Sequence, residues 1–331
     1  MEGLGNRFCV LDGFNKIIAS CFFETCGAAA EQRVHTLLAS LSGCGVVGLG
    51  LPNPGLNPDW PKVLITELCR LHDTDGLLVP TPSAVADIRM VYYNKDGSRA
   101  AMCGNGLRCV ARYSGLPEGL VETDCGLRRF RVTDGGLVAV EMGEPLVTRD
   151  LLPLSGLLVG PLSAEERTHR CALRETAPQQ QYGVLRNSLL FRVDVGNPHL
   201  VFLLPPSLDE ASLRAAPEFS LLGPALEKDP AFGTAGNNVE LVVALPPAPG
   251  CPSLHFFQRT WERGCGETRA CGSGACAVYA SILASSPSVS DPVIVHMLGG
   301  SLSLSNVSDS QGHLVVWMTG DAHYVSGVCG S

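Results

Sequence analysis

The chain has 331 residues, 45% of them hydrophobic and 17% charged, with a formal net charge of −8. That length allows about two domains, each able to bury its own core. The acidic balance and the lack of any Lys/Arg block argue against a nucleic-acid partner, and no apolar run approaches the roughly eighteen residues that a spanning helix needs, which argues against a membrane protein.

The start, Met1-Glu2-Gly3-Leu4-Gly5-Asn6, lacks a basic stretch followed by an apolar one, so no secretory signal is read and a cytoplasmic protein is expected. Fourteen cysteines are many, but Cys9, Cys21, Cys44, Cys69, Cys171 and Cys251 are scattered. In a chain of this length, free thiols in a reducing compartment are the default. There is no Cys-x-x-Cys, and neither Cys103/Cys109 nor Cys271/Cys276 stands at metal-ligand spacing, so no metal site is expected.

In chain order, the apolar residues Phe8, Val10 and Leu11 predict a strand over 7–12. Helices are expected at 31–41 and 61–71, separated by a proline-rich loop at 51–61. A strand over 87–92, extended by Tyr93, runs into the turn Asn94-Lys95-Asp96-Gly97-Ser98. A helix follows at 107–113, then a strand pair at 127–132 and 137–142 around Thr133-Asp134-Gly135-Gly136. Residues 152–182 read as a polar loop. Strands are predicted at 189–195, 200–204, 239–245 and 254–260, with a loop at 245–252. A helix at 275–284 and strands at 292–297, 301–304 and 314–319 complete the chain. Many short strands with few helices, set out twice, predict a duplicated α+β fold with its midpoint near Met142-Gly143-Glu144-Pro145.

The sharpest chemical signal is also duplicated. Cys103-Gly104-Asn105-Gly106 and Cys271-Gly272-Ser273-Gly274 each precede a helical run. A Gly-rich turn opening a helix presents unpaired backbone amides and the positive end of the dipole, which suits a carboxylate and developing negative charge. The same position lowers a cysteine's pKa. One thiolate could then remove a proton while the opposite thiol delivers one, with no cofactor. A single such turn is weak evidence, because most cysteines are plain buried residues. Its recurrence in both halves carries the reading.

Other candidates are individually weaker. Glu262-Arg263, at the end of a predicted strand, suits recognition of an amino-acid head group, or a surface ion pair. Asn6, Asn94, Asn197 and Asn238 stand at turns, where Asn is usually placed for backbone reasons. His199, after Pro198, could orient a cysteine or be structural. A redox or thiol–metal protein, the rival from another class, fits none of the cysteine spacings.

These pieces together resemble the diaminopimelate epimerase family. The matching segments include Gly3-Leu4-Gly5-Asn6, Asp75–Val79, Tyr93–Ser98, Met102–Gly106 with Arg108-Cys109, Gly196-Asn197-Pro198-His199, Asn238-Val239-Glu240, Glu262–Thr268, Cys271–Cys276 and Met318-Thr319-Gly320. The resemblance implies an α+β fold of two pseudo-symmetric halves, each a mixed sheet around a central helix, with the site in the inter-domain cleft. It implies one half from 1–145 plus about 315–331 and the other from 146–314. It implies interconversion of LL- and meso-diaminopimelate without a cofactor, or a related racemase acting on another amino acid such as histidine, and a homodimer. Cys103 and Cys271 look like the acid/base thiols. Gly104, Asn105, Gly272 and Ser273 look like the amide cradle, and Asn6, Asn94, Asn197, Asn238, Glu262 and Arg263 like the substrate pocket. His199 looks like a partner that helps set thiol ionisation. The chain departs from the family's pattern at Leu71-His72-Asp73-Thr74 and Gly320-Asp321-Ala322, with insertions near 28–61 and after residue 150.

Overall fold

A computed structural model describes residues 1–3, 6–10, 62–147, 185, 188–217, 219–246, 250, 253–286, 289, 291–308 and 314–324. The helix expected at 31–41 and the loops at 51–61 and 152–182 lie outside them. The chain divides into two compact units, Met1–Val140 with Gly320–Ser331, and Glu141–Thr319.

In the first unit β1 (Glu2–Gly3) pairs antiparallel with β2 (Asn6–Val10). Helix α1 (Lys62–Leu71) follows in sequence. β2 then pairs parallel with β3 (Gly76–Thr81), and β3 antiparallel with β4 (Ile88–Asn94). β4 also carries the short β5 (Arg99–Ala100), which leads to helix α2 (Gly104–Ser114). β4 pairs parallel with β6 (Glu118–Thr123), and antiparallel ladders join β6 to β7 (Gly126–Val132) and β7 to β8 (Val138–Gly143).

The second unit repeats this order. β9 (Leu146–Val147) and β10 (Leu189–Asp194) are antiparallel, as are β10 and β11 (Pro198–Leu203). Helices α3 (Glu210–Ala215) and α4 (Phe219–Glu227) come next in sequence. β11 pairs parallel with β12 (Asn238–Ala244), and β12 antiparallel with β13 (Leu254–Glu262). β13 carries the short β14 (Gly266–Thr268), which leads to helix α5 (Gly272–Ser285). β13 pairs parallel with β15 (Val293–Met297), and antiparallel ladders join β15 to β16 (Gly300–Ser308) and β16 to β17 (Leu314–Gly320). The alternation of parallel and antiparallel ladders is the same in both units, and each has one helix after its short strand. The duplication that the sequence suggests is therefore a duplication of topology.

β17 is bonded along β16, and the second unit runs to Thr319, with Gly320 onward in the first. The strands β3 and β6 and the helices α3 and α4 are absent from the sequence reading. β3 is buried at every position and shows no alternation, the pattern of a strand covered on both faces. α3 is short, and α4 contains Pro224.

Packing explains the helices. α1 buries Leu64, Ile65, Leu68 and Cys69, one face at helical spacing, against Cys9, Leu77, Val79, Val91 and Tyr93. Each fully buried Leu or Ile of this face contributes about 1.5–3 kcal/mol relative to exposure. α2 packs against β1, β3, β4, β6 and β7 and buries every residue from Gly104 to Ala111. α5 packs against β10, β11, β12 and β16, and none of its residues is exposed. A helix covered all round is a central element of its sheet. Among the described residues no helix is long and apolar enough to cross a membrane.

Candidate active site

Both helices begin earlier than their apolar pattern indicates. The Gly-rich runs are the first helical turns, not turns ahead of them, because the preceding cysteine is the N-cap. Cys103 has extended backbone (φ −144°, ψ 116°), and its Sγ accepts from the Gly106 N–H at 3.4 Å. Cys271 has nearly the same backbone (φ −128°, ψ 111°), and its Sγ accepts from the Gly274 N–H at 3.4 Å. A cap sulfur therefore takes the place usually held by a Ser or Asp oxygen. The amides of Gly104 and Asn105, and of Gly272 and Ser273, have no acceptor within their helices.

Glycine is needed where these turns press on their surroundings. A Cβ at Gly106 would stand 2.8 Å from Leu78 Cδ2, and one at Gly274 would stand 2.7 Å from Glu240 Oε1.

The first unit places Cys103, partly exposed, beside buried Gly104 and Asn105. Asn105 Oδ1 accepts from Arg108 Nη2 at 2.9 Å, and Arg108 Nε donates to the Asp321 carbonyl at 3.1 Å. The Arg108 side chain is wholly buried. Asn94 ends β4, and its Nδ2 donates to Ser98 Oγ at 3.0 Å, closing the turn into β5. Asn6 opens β2, paired with Gly3. Cys109, one turn further along α2 and buried, has its thiol pushed up to about 12 by desolvation.

The second unit gathers more polar groups. Cys271 is buried, with Ser273 Oγ 3.4 Å from its sulfur. Glu262 ends β13, accepts from Thr268 Oγ1 at 2.6 Å and hydrogen-bonds the Cys271 thiol. Burial, and then the charges of Glu262 and Glu240, raise the Cys271 thiol well above its ordinary value, against the smaller opposing effects of Ser273 and the Gly274 amide. Desolvation likewise raises the Glu262 carboxyl, while Thr268 and His199 pull it down. His199 lies in β11, with Nδ1 2.8 Å from Glu240 Oε1 and Nε2 2.9 Å from Asn197 Oδ1. Asn238 accepts from the Arg263 N–H at 2.9 Å and donates to the Pro198 carbonyl at 3.0 Å, tying the start of β12 to the turn after β13. The exposed Arg263 guanidinium donates to the Ala235 carbonyl at 3.0 Å.

The two units are not chemically equal. Asn94 and Glu262 occupy corresponding strand ends, each followed by the short strand that leads to a cysteine-capped helix. One is a neutral amide and the other an ionisable carboxyl. A titratable carboxyl next to the thiol is thus present at this position in the second unit only.

Sequence reasoning did not assign Glu240, Gln258, Thr268, Glu227 or Arg108. Glu240 had a signal, a lone acid in a strand otherwise apolar after Asn238. Glu227 had none. It accepts from Trp261 Nε1 at 2.8 Å and from the Gly264 N–H at 3.0 Å, so it holds the turn that carries Arg263. Among the described residues no group of three or more His, Cys, Asp or Glu could hold a metal ion.

Two units of the same mixed-sheet topology, each with a central helix, define a class of fold. A phenazine biosynthesis protein of the PhzF family from Bacillus anthracis shares it, with a TM-score of 0.56 at 14% identity, over 80% of this chain and 88% of that one. The sequence narrows the class. The family model described as diaminopimelate epimerase matches residues 65–148 and 191–325. Curated relatives named diaminopimelate epimerase include one from Bacillus velezensis, 39% identical over 77% of this chain and 83% of the relative. One from Oceanobacillus iheyensis is 33% identical over 98% of this chain and 94% of the relative, and one from Bacillus subtilis is 38% identical over 76% and 81%. The chain belongs to the diaminopimelate epimerase family.

Proposed function

We propose that the protein is an isomerase that interconverts LL- and meso-diaminopimelate, with Cys103 and Cys271 as its two acid/base thiols. The observation that carries this reading is the same cysteine-capped helix start in both units, with sulfur on the third amide and two further amides without an acceptor in the helix. Those amides and the helix dipole suit a substrate carboxylate. Negative charge that spreads from the α-carbon into that carboxylate during proton removal is stabilised by the same donors.

In this reading one thiol gives up its proton to become the base, removes the α-proton, and the other thiol protonates the carbon from the opposite side. The roles exchange with the direction of reaction, so no proton is gained or lost overall. On the Cys271 side Glu262 is in position to receive the thiol proton. Its raised pKa brings it towards that of a thiol, which eases the transfer. Asn6, Asn94, Asn197, Asn238 and Arg263 are proposed to bind the substrate's polar groups, including those at the non-reacting stereocentre.

The test is α-proton exchange in deuterated water, followed by NMR with reduced protein and a panel of LL-diaminopimelate, L-lysine, L-histidine and L-glutamate. Exchange and inversion of diaminopimelate alone is expected. Exchange of another member alone would keep the two-thiol chemistry and replace the substrate, and no exchange of any member would overturn the reading.

A further inference from the structure

The second unit buries a carboxyl that the proton-transfer scheme does not use. Glu240 has no accessible surface, and it lies in β12 among apolar neighbours. Its Oε1 is held at 2.8 Å by His199 Nδ1, while Oε2 meets no donor. Gly274 leaves the space that this carboxyl fills, and Gln258 Nε2 would stand 2.9 Å from a Cβ at the same position. The acid is therefore wedged against the first turn of the helix that Cys271 caps. Four side chains from four elements meet here: His199 of β11, Glu240 of β12, Glu262 of β13 and Cys271 at the head of α5.

We infer that Glu240 is a positioning residue of the Cys271 half-site, fixing the proton on Nδ1 of His199 and holding a negative charge behind the helix that presents the thiol. The inference rests on the proposed function only in taking Cys271 as a reacting thiol.

An ionised carboxylate accepts hydrogen bonds and cannot donate them, so the His199 Nδ1 facing it carries hydrogen. That bond orients the ring and turns Nε2 to the Asn197 side-chain amide, part of the proposed substrate pocket. The buried charge has a second effect. It lies in a poorly screened interior, beside the Glu262 carboxyl, and disfavours a further negative charge on Cys271. Glu240 thus adds to burial and to the Glu262 charge, which together keep Cys271 as a thiol until a base or substrate draws the proton away.

Glu240→Gln, made in the full chain, keeps the shape and removes the charge. In 15N-histidine-labelled protein, long-range 1H–15N spectra assigned with a His199→Gln variant should show His199 protonated at Nδ1 in the parent. In the Glu240→Gln variant the Nδ1 resonance should shift, because its charged acceptor has become a neutral amide. Alkylation of the Cys271 peptide by iodoacetamide, read by mass spectrometry against pH, should show its midpoint falling by about half a unit or more. Diaminopimelate turnover should lose about tenfold or more in kcat, with KM changed far less.

An unmoved His199 Nδ1 resonance together with an unmoved alkylation midpoint would overturn the inference. If the Gln variant does not fold, the parent spectrum decides, because His199 protonated on Nε2 alone contradicts the role. A failure of the proposed function shows elsewhere, as a Cys271→Ser protein with full turnover, so the two are told apart.

Discussion

Gly274→Ala is the perturbation in which two rules give opposite signs. Helix propensity favours Ala over Gly in a helix by about 1 kcal/mol. The structure opposes it. The new methyl would stand 2.7 Å from Glu240 Oε1, 2.9 Å from Gln258 Nε2 and 3.2 Å from Cys271 Cβ. Neither long side chain is free to swing away. Both are fully buried, Glu240 bonded to His199 and Gln258 Nε2 donating to Thr260 Oγ1 at 2.6 Å. Overpacking costs about 1–3 kcal/mol, and pulling a buried hydrogen bond to a charged group out of line costs about 1–3 kcal/mol more. Net destabilisation of about 1–5 kcal/mol is expected after the helix gain is subtracted. Urea unfolding followed by circular dichroism measures it, with Gly135→Ala as the control. At that exposed turn the nearest atom to a new Cβ is Thr133 Oγ1 at 3.9 Å, and the change should stay within about 0.5 kcal/mol. A Gly274→Ala protein as stable as the parent, or more so, would refute the reasoning that the Glu240–Gln258 cluster is locked against the helix.

Thiol chemistry separates the cysteines by environment. At about pH 8, brief iodoacetamide treatment followed by mass spectrometry should label exposed Cys125 and Cys265 and spare Cys109, whose thiol is pushed up to about 12. Arg108→Met keeps the stem but strips buried donors from Asn105 Oδ1 and the Asp321 carbonyl. It should cost about 1.5–3 kcal/mol in urea unfolding and weaken turnover. In acid, Asp96 and Asp209 are held below the ordinary carboxylate range, chiefly by hydrogen bonds from Ser98 and Ser212. Their folded-state values lie below the unfolded ones, so their stabilisation is present above about pH 4 and fades as pH falls through the folded values. The urea midpoint should therefore drop as the pH falls below about 4, and drop less in an Asp209→Asn protein, which has already lost one of these groups.

Much of this architecture could be read from the chain. Strands such as Gly126–Val132 and Leu189–Asp194 fall where the alternation and turn residues place them, because local pattern and final environment agree there. The two Cys-Gly-x-Gly runs marked both helix starts. What the pattern could not give was the extent of those helices, since Gly and Asn are poor helix formers, and only the cap geometry and close packing against Leu78 and Glu240 make them the first turns. The parallel ladders of β2 with β3 and of β11 with β12 are long-range pairings with no local signature. In the candidate site, the cysteines and the Glu262-Arg263 turn stood out through spacing and charge. The supporting contacts did not. His199 with Glu240, Thr268 with Glu262 and Glu227 with Trp261 each join residues on different elements, and no local motif announces which polar pairs will meet once strands align.

The central claim is that each of two thiols moves a proton on opposite sides of one carbon. It is tested most directly by incubating LL-diaminopimelate in deuterated water with the parent protein, Cys103→Ser and Cys271→Ser, and following both deuterium uptake at the α-carbon and formation of the meso isomer. The account predicts that the parent does both and that each single-cysteine variant loses meso formation by about a hundredfold or more while remaining folded. Full meso formation by either variant would contradict it.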